Sequence, residues 1–205
     1  IIAIADYDND GDQDVYVGRK YGYNWFFENQ TLTGPAGDVT YHSNPEPFFI
    51  EKAVSLGIAD FEVNEIGSMG YGAAWGDYDN DQDFDLYLAN WGVNRLYNND
   101  ENSFTNVADE QYLESDELSN GVSWGDYNND GMLDLWTSNI RNPDDVYINV
   151  GDGTWDTTSS PQFLSATQDV ISGDINGDGW LDVFGAGLKM TNGPPGAKYT
   201  SLLYK

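Results

Sequence analysis

Short stretches rich in β-branched and aromatic residues recur along the chain, and Gly, Asn and Asp bound each of them. Residues 15–20 (VYVGRK) and 86–91 (LYLANW) show the alternation of apolar and polar positions that is typical of strands. Turn-forming links such as Gly151-Asp152-Gly153 separate neighbouring stretches, as in β-hairpins. The pattern therefore predicts an all-β protein.

The predicted strands fall into four units, at about residues 1–65, 66–115, 116–165 and 166–205. Second strands are predicted at residues 15–20, 86–91, 135–139 and 183–187, third strands at 24–29, 94–99, 144–149 and 201–205, and fourth strands at 48–54, 104–109 and 154–159. A four-stranded antiparallel meander of about this size is typical of a β-propeller blade. The sequence thus predicts one propeller region over 1–205 with an incomplete last blade, part of a larger ring. A small four-bladed ring, closed imperfectly or by a partner's strand, is the alternative.

Between the first and second strands of every unit lies an acidic nonapeptide. The copies are residues 6–14 (DYDNDGDQD), 77–85 (DYDNDQDFD), 126–134 (DYNNDGMLD) and 174–182 (DINGDGWLD). Asp or Asn occupies positions 1, 3 and 5 and Asp occupies position 9, so oxygen ligands converge on a site that suits Ca²⁺, with a backbone carbonyl from position 7. Position 6 is Gly in three copies, which predicts a positive φ there. Gln82 replaces it in the second copy, whose metal site is the least certain.

Two related calcium motifs do not fit these loops. An EF-hand requires a Glu at position 12 and flanking helices. Position 12 is instead Val17, Leu88, Thr137 and Gly185, and the flanking residues favour strands. Glycine-rich nonapeptides in tandem are also excluded, because the copies start at residues 6, 77, 126 and 174 rather than back to back.

Together with residues 86–90 (LYLAN) and 94–99 (NRLYNN), the nonapeptides resemble the FG-GAP/VCBS calcium-binding repeats of integrin α-subunit heads and bacterial surface proteins. The resemblance implies a propeller of about seven blades and up to four Ca²⁺ ions in this chain. Its side-chain ligands would be Asp6, Asp8, Asp10 and Asp14; Asp77, Asp79, Asp81 and Asp85; Asp126, Asn128, Asp130 and Asp134; and Asp174, Asn176, Asp178 and Asp182, with carbonyls from Asp12, Asp83, Met132 and Trp180. Gln82 and the longer first unit depart from the family pattern.

The charge of the chain limits its partners. With 35 acidic and 8 basic residues, the formal charge is −27, which disfavours binding to nucleic acid. The sequence contains no run of eighteen apolar residues, so direct membrane insertion is not expected. The absence of Cys excludes disulfides. Calcium loops of moderate affinity fill where Ca²⁺ is millimolar, so we expect an extracellular, secreted or cell-surface location. The chain starts within a strand and without Met, which predicts a mature or partial chain.

Little in the sequence indicates catalysis. Residues 121–125 (GVSWG) match G-x-S-x-G, but they form the strand entering a calcium loop rather than a strand-to-helix elbow. His42 is the single histidine, so a Ser-His-Asp relay or a multi-histidine zinc site lacks residues. We therefore expect no enzyme. The alternative is the propeller scaffold of a polysaccharide lyase or glycosidase that uses a Tyr, Asp or Glu.

These patterns favour a calcium-binding propeller that serves as an adhesion, glycan-binding or surface-assembly module. Its partners would be a protein or carbohydrate ligand, or copies of itself. The long segments 30–47 and 188–198 are candidate recognition loops. Tyr97, Tyr147, Trp75 and Trp124 occupy repeat positions expected in the core, whereas Trp25, Trp91 and Trp180 are candidates for exposed, sugar-stacking positions. Calcium is expected to have a structural role.

Overall fold

The computed structural model describes residues 1–30, 48–60, 69–115, 117–140, 142–157, 167–187 and 202–204. These residues form fifteen β-strands and no helix. The strands are β1 (Ile2–Ala5), β2 (Asp14–Val17), β3 (Trp25–Asn29), β4 (Phe49–Glu51), β5 (Met69–Gly76), β6 (Asp85–Trp91), β7 (Arg95–Asp100), β8 (Ser103–Asn106), β9 (Ser119–Gly125), β10 (Asp134–Asn139), β11 (Asp145–Asn149), β12 (Trp155–Asp156), β13 (Thr167–Gly173), β14 (Asp182–Gly187) and β15 (Leu202–Tyr204). The prediction of an all-β protein is confirmed.

The strands form four antiparallel sheets in which neighbours in sequence are neighbours in space. Three sheets have four strands each, in the orders β1-β2-β3-β4, β5-β6-β7-β8 and β9-β10-β11-β12, and the fourth has the order β13-β14-β15. Each sheet is therefore a simple meander, as predicted for propeller blades. The long segments 31–47 and 188–200, which contain His42, lie outside the described residues.

The fourth strands are shorter than predicted. Strand β4 has three residues and β12 has two, and residues 158–159 of the predicted strand lie outside the described residues. After β4 the chain turns, with the Leu56 N–H donating to the Lys52 carbonyl, and Ala53 and Ile58 become fully buried. A similar turn follows β8 and buries Ala108 and Leu113. The apolar residues at the end of these predicted strands thus fill the core from a turn, because a straight strand would carry them past it.

Apolar side chains pack between successive sheets. Along β6, Leu86 and Leu88 pack against the first sheet, whereas Tyr87 and Ala89 pack toward the third. Because side chains of a strand alternate between its two faces, this sheet is buried on both sides. Strand β10 repeats the arrangement, since Leu135 faces the second sheet and Trp136 the fourth. The core is thus a series of layers between adjacent sheets.

The two outermost faces among the described sheets are apolar and exposed. Ile2 and Ile4 of β1 are 66% and 57% exposed, and Ile171 of β13 is 66% exposed.

The nonapeptides connect β1 to β2, β5 to β6, β9 to β10 and β13 to β14. All four therefore lie along one edge of the stacked sheets. No helix in the described part of the chain is long and apolar enough to cross a membrane.

Candidate metal centres

Carboxylates at the first position fold each nonapeptide back on itself. This Asp accepts the N–H of the sixth residue in all four loops, at 3.0 Å from Gly11, 3.1 Å from Gln82, 2.9 Å from Gly131 and 2.9 Å from Gly179. The Asp at the fifth position accepts the N–H of the seventh, at 3.0 Å in the first and fourth loops and 2.9 Å in the other two. The spacing of acidic residues therefore produces the same tight curl four times.

Positive φ angles at the sixth position complete the curl. The angles are 98°, 91° and 89° at Gly11, Gly131 and Gly179, as predicted, and Gln82 takes the same conformation at 81°. Sequence reasoning missed a second left-handed position, the fourth, which is Asn9 (57°), Asn80 (61°), Asn129 (59°) and Gly177 (77°). Asn and Gly tolerate this conformation best, so their recurrence at position 4 was the indication in the sequence.

The ninth-position Asp anchors each loop to its sheet. Its second carboxylate oxygen accepts the N–H of the second residue, at 3.2, 3.1, 2.8 and 3.1 Å along the chain. In the first three units its other oxygen accepts the N–H of the last Asn of the third strand, Asn29, Asn99 or Asn149. Burial raises the pKa of Asp14 to about 7 and that of Asp85 to about 8. These carboxylates are thus placed at a high electrostatic cost without a cation.

Carboxylates gather closely in the first two loops. Oxygens of Asp6, Asp8 and Asp14 lie within 4.8 Å of one another, and so do oxygens of Asp77, Asp79 and Asp85. Oδ1 of Asp6 and Oδ1 of Asp8 are buried and have no hydrogen-bond partner. Burial, followed by repulsion from Asp10, raises the pKa of Asp8 to about 6. Hard oxygen donors that are buried without hydrogen-bond partners fit a divalent cation of the Ca²⁺ type.

The third and fourth loops carry an amide where the first two carry a third-position carboxylate. Asn128 accepts the N–H of Asp130 at 2.9 Å and donates to its carboxylate at 2.8 Å. Asn176 likewise accepts the Asp178 N–H at 2.8 Å. No comparable three-carboxylate group is found in the described residues of these loops. Their oxygen donors fit Ca²⁺ at a lower site charge, so weaker binding is expected.

Aromatic and basic side chains form a separate surface at the opposite edge of the sheets, which we call the aromatic patch. It consists of Arg19, Lys20, Tyr21, Trp25, Tyr71 and Trp91. The Arg19 guanidinium lies 4.2 Å from the centre of the Trp25 ring, Lys20 Nζ lies 5.4 Å from that of Tyr21, and the rings of Tyr71 and Trp91 stack at 4.3 Å. Tyr21, followed by Tyr71, raises the pKa of Lys20. The patch joins the first two sheets.

The remaining aromatic predictions divide as follows. Trp25 and Trp180 are 41% and 55% exposed, whereas Trp91 is half-buried. Tyr97 and Tyr147 are buried, and Trp75 and Trp124 pack, half-buried, against the core layers.

The G-x-S-x-G match lies in strand β9, as expected. The Ser123 hydroxyl lies 2.9 Å from the hydroxyl of Ser172 in β13, within the packing between two sheets. It therefore has no nucleophile elbow around it.

Stacked antiparallel meanders, each with an acidic loop between its first two strands, define a β-propeller-like repeat protein. The FG-GAP-like repeat model matches the chain twice, at residues 77–137 and 126–185. Together these matches cover more than half of the chain, which therefore belongs to the FG-GAP-like repeat family. Each match begins at an acidic loop and ends in the second strand of the following sheet. Comparison with curated proteins found no match.

Proposed function

We propose that this protein is a calcium-stabilised β-propeller module that acts outside the cell in adhesion, glycan binding or surface assembly. The observation that carries the calcium part is the pair of acidic clusters, with buried Asp6 and Asp8 oxygens that lack partners. Calcium, when bound, would supply positive charge and accept six to eight oxygen donors. The chain's own part is to hold the donors, since the first, fifth and ninth carboxylates are fixed by backbone N–H groups.

Up to four ions would bind, one in each nonapeptide. The formal charge of −27 supports the proposal, because crowded carboxylates repel one another until a cation joins them. An extracellular location follows from the same argument, as millimolar Ca²⁺ fills sites of moderate affinity. Binding to the folded state alone raises stability by mass action.

Chelation tests this proposal. Adding EDTA should lower the melting temperature sharply, and Ca²⁺ should restore it, while calorimetric titration counts the ions. Asp8→Ala should remove about one ion and part of the stabilisation by Ca²⁺, and Asp130→Ala should do the same for the third loop. Asp109→Ala is the matched control, because this exposed acidic residue lies outside the loops. A melting curve that is the same in EDTA and in Ca²⁺ would refute structural calcium.

The aromatic patch is the surface that we propose for the ligand. Tyr21 and Trp25 expose ring area on which sugars stack, and no carboxylate of the described residues pairs with Arg19 or Lys20. In so acidic a chain, two cations that have no carboxylate partner among the described residues and that lie beside aromatic rings favour a saccharide that carries carboxylate or sulfate groups.

Titration with acidic and neutral oligosaccharides tests this surface. Trp25→Ala and Lys20→Ala should weaken binding of the acidic ones about tenfold, roughly the effect of losing one stacking or charged contact. Trp180→Ala, at the other edge, is the control and should bind normally. Equal affinities for all variants would refute the patch, and concentration-dependent sedimentation of the protein alone would favour surface assembly instead.

We also propose that the module is not a catalyst. The strand position of Ser123 supports this, since its hydroxyl is used between sheets. The alternative, the scaffold of a polysaccharide lyase or glycosidase, predicts new chain ends when the protein is incubated with acidic polysaccharides. Detection of such ends, absent from a heat-denatured control, would overturn the non-catalytic proposal.

A further inference from the structure

Asparagine side chains connect each acidic loop to the next. The fourth-position Asn of one loop donates to the sixth-position carbonyl of the loop on the following sheet. The distances are 3.2 Å from Asn9 to Gln82, 3.5 Å from Asn80 to Gly131 and 3.2 Å from Asn129 to Gly179. Asn9 also donates to the carboxylate of Asp83 at 3.0 Å. The same link thus occurs at all three junctions between described sheets.

Each link ends on a residue that a predicted ligand holds. Gly131, which accepts from Asn80, donates its own N–H to Asp126 at 2.9 Å. Gly179, which accepts from Asn129, donates its N–H to Asp174 at 2.9 Å. Two hydrogen bonds therefore connect the first-position carboxylate of one loop, through the sixth residue of that loop, to the fourth-position Asn side chain of the preceding loop.

A second, buried set of hydrogen bonds joins the ninth-position carboxylates. Asn99 is fully buried; its N–H donates to Asp85 at 2.9 Å, and its side-chain amide donates to the Tyr7 carbonyl at 3.0 Å. The Tyr7 N–H in turn donates to Asp14 at 3.2 Å. Asn149 makes the equivalent bonds one sheet later, to Asp134 at 2.9 Å and to the Tyr78 carbonyl at 2.7 Å. Hydrogen bonds therefore run continuously from Asp14 through Asp85 to Asp134.

We propose that these asparagines are positioning residues that couple the acidic loops, so that Ca²⁺ in one loop strengthens Ca²⁺ binding in the next. The inference rests on the proposed function, because it assumes that the loops bind Ca²⁺. Without an ion, the carboxylates of a loop repel one another and move the residues whose carbonyls the neighbouring asparagines need. With an ion, those carbonyls are fixed, and the neighbour starts from a loop already in its binding shape.

Position 4 of the fourth loop is Gly177, which has the required positive φ but no side-chain amide that could donate to a neighbouring loop. It shows that glycine keeps the loop shape without the link. Asn→Gly at position 4 is therefore a clean deletion, because it removes the donor and leaves the positive φ unstrained.

Terbium luminescence of the fourth loop tests the coupling. Tb³⁺ replaces Ca²⁺ at oxygen sites, and Trp180 is at position 7 of this loop. The part of the tryptophan-excited signal that Trp180→Phe removes therefore reports on the fourth loop. Asp130→Ala should empty the third loop and weaken Tb³⁺ binding in the fourth about fivefold, the effect of losing roughly one hydrogen bond. In an Asn129→Gly background, Asp130→Ala should cost less than about twofold.

Matched variants and outcomes separate the coupling from simple stability. Asn102→Gly is the control, because Asn102 has a φ of 69° in the β7–β8 turn and makes no side-chain hydrogen bond in the described structure; its fourth-loop affinity should equal that of the wild type. Binding in the fourth loop that ignores Asp130→Ala, or an undiminished fivefold loss in Asn129→Gly, would overturn the coupling while leaving calcium binding intact. A wild-type chain that binds neither Tb³⁺ nor Ca²⁺ would overturn the proposed function itself.

Discussion

Replacement of Asn99 measures what one link between sheets contributes to stability. Its amide donates to the carbonyls of Tyr7, at 3.0 Å, and Phe84, at 3.3 Å. Each such bond contributes about 1 kcal/mol, and a buried carbonyl left without a donor adds a penalty of about 1 kcal/mol or more. Tyr7 is 3% exposed, so water cannot easily replace the lost donor. We therefore expect Asn99→Ala to lower the free energy of unfolding by about 3 kcal/mol.

Asn99→Asp separates hydrogen-bond donation from packing. The aspartate has the same shape but cannot donate to the two carbonyls, and it adds a buried negative charge beside Asp85. It should therefore destabilise the protein more than alanine does. Urea unfolding at pH 7 with saturating Ca²⁺, followed by tryptophan fluorescence, measures both variants. Thr105→Ala, at an exposed position of β8, is the control and should change stability by less than about 0.5 kcal/mol. An Asn99→Asp protein as stable as the wild type would refute the reasoning.

Three further predictions follow from the loops and from a buried ion pair. In EDTA, the stability of the protein should fall as the pH rises from about 5 to 8. The folded pKa values of Asp14 (about 7) and Asp85 (about 8) lie above that of an unfolded carboxyl, near 4. In this range the folded state therefore binds more protons than the unfolded state, and raising the pH removes them. Melts at several pH values check this, and a rise in stability with pH would contradict it. Gln82→Gly should raise the free energy of unfolding by about 0.5–1 kcal/mol in urea titrations, because a φ of 81° suits glycine. Gly131→Ala, the reverse kind of change at the same loop position, should destabilise the protein. No gain of stability in Gln82→Gly would argue against backbone strain at this position. Arg95→Met should lower the free energy of unfolding by about 3 kcal/mol, because Asp60, which lies 3.4 Å from Arg95 Nε and is 7% exposed, would keep a buried charge without this partner. Adding Asp60→Asn should recover part of the loss, and strictly additive effects of the two substitutions would contradict the pairing.

The internal geometry of each acidic loop could be predicted from its spacing. The hydrogen bonds that Gly131 donates to Asp126 and Met132 donates to Asp130 span five residues or fewer. Bonds this local depend on side-chain length and on backbone preference, both of which the sequence specifies. The positive φ at Gly131 belongs to the same set, while its counterpart at Gln82 shows that the loop can impose this conformation on a less suitable residue.

The roles of the asparagines could not be predicted in this way. Asn80 looks like an ordinary turn residue, and its acceptor lies 51 residues further along the chain. Asn99 looks like the polar end of a strand, yet its amide reaches Tyr7, 92 residues earlier. The early end of β4, which brings Ala53 into the core, likewise depends on the space between the first two sheets, where Ala53 packs in one cluster with Leu86 and Leu88.

The sequence by itself determined most of the strands, their order in each meander and the curl of the acidic loops, because these rest on pairing between strands that are neighbours in the chain, on hydrogen bonds within each loop and on the period of two in a strand. The tertiary structure alone decided which side chains bridge the sheets, such as Asn80, which reaches the Gly131 carbonyl, and Asn99, which reaches that of Tyr7. Those contacts join segments whose separation in space is set by how layered sheets twist and pack, which no local pattern encodes.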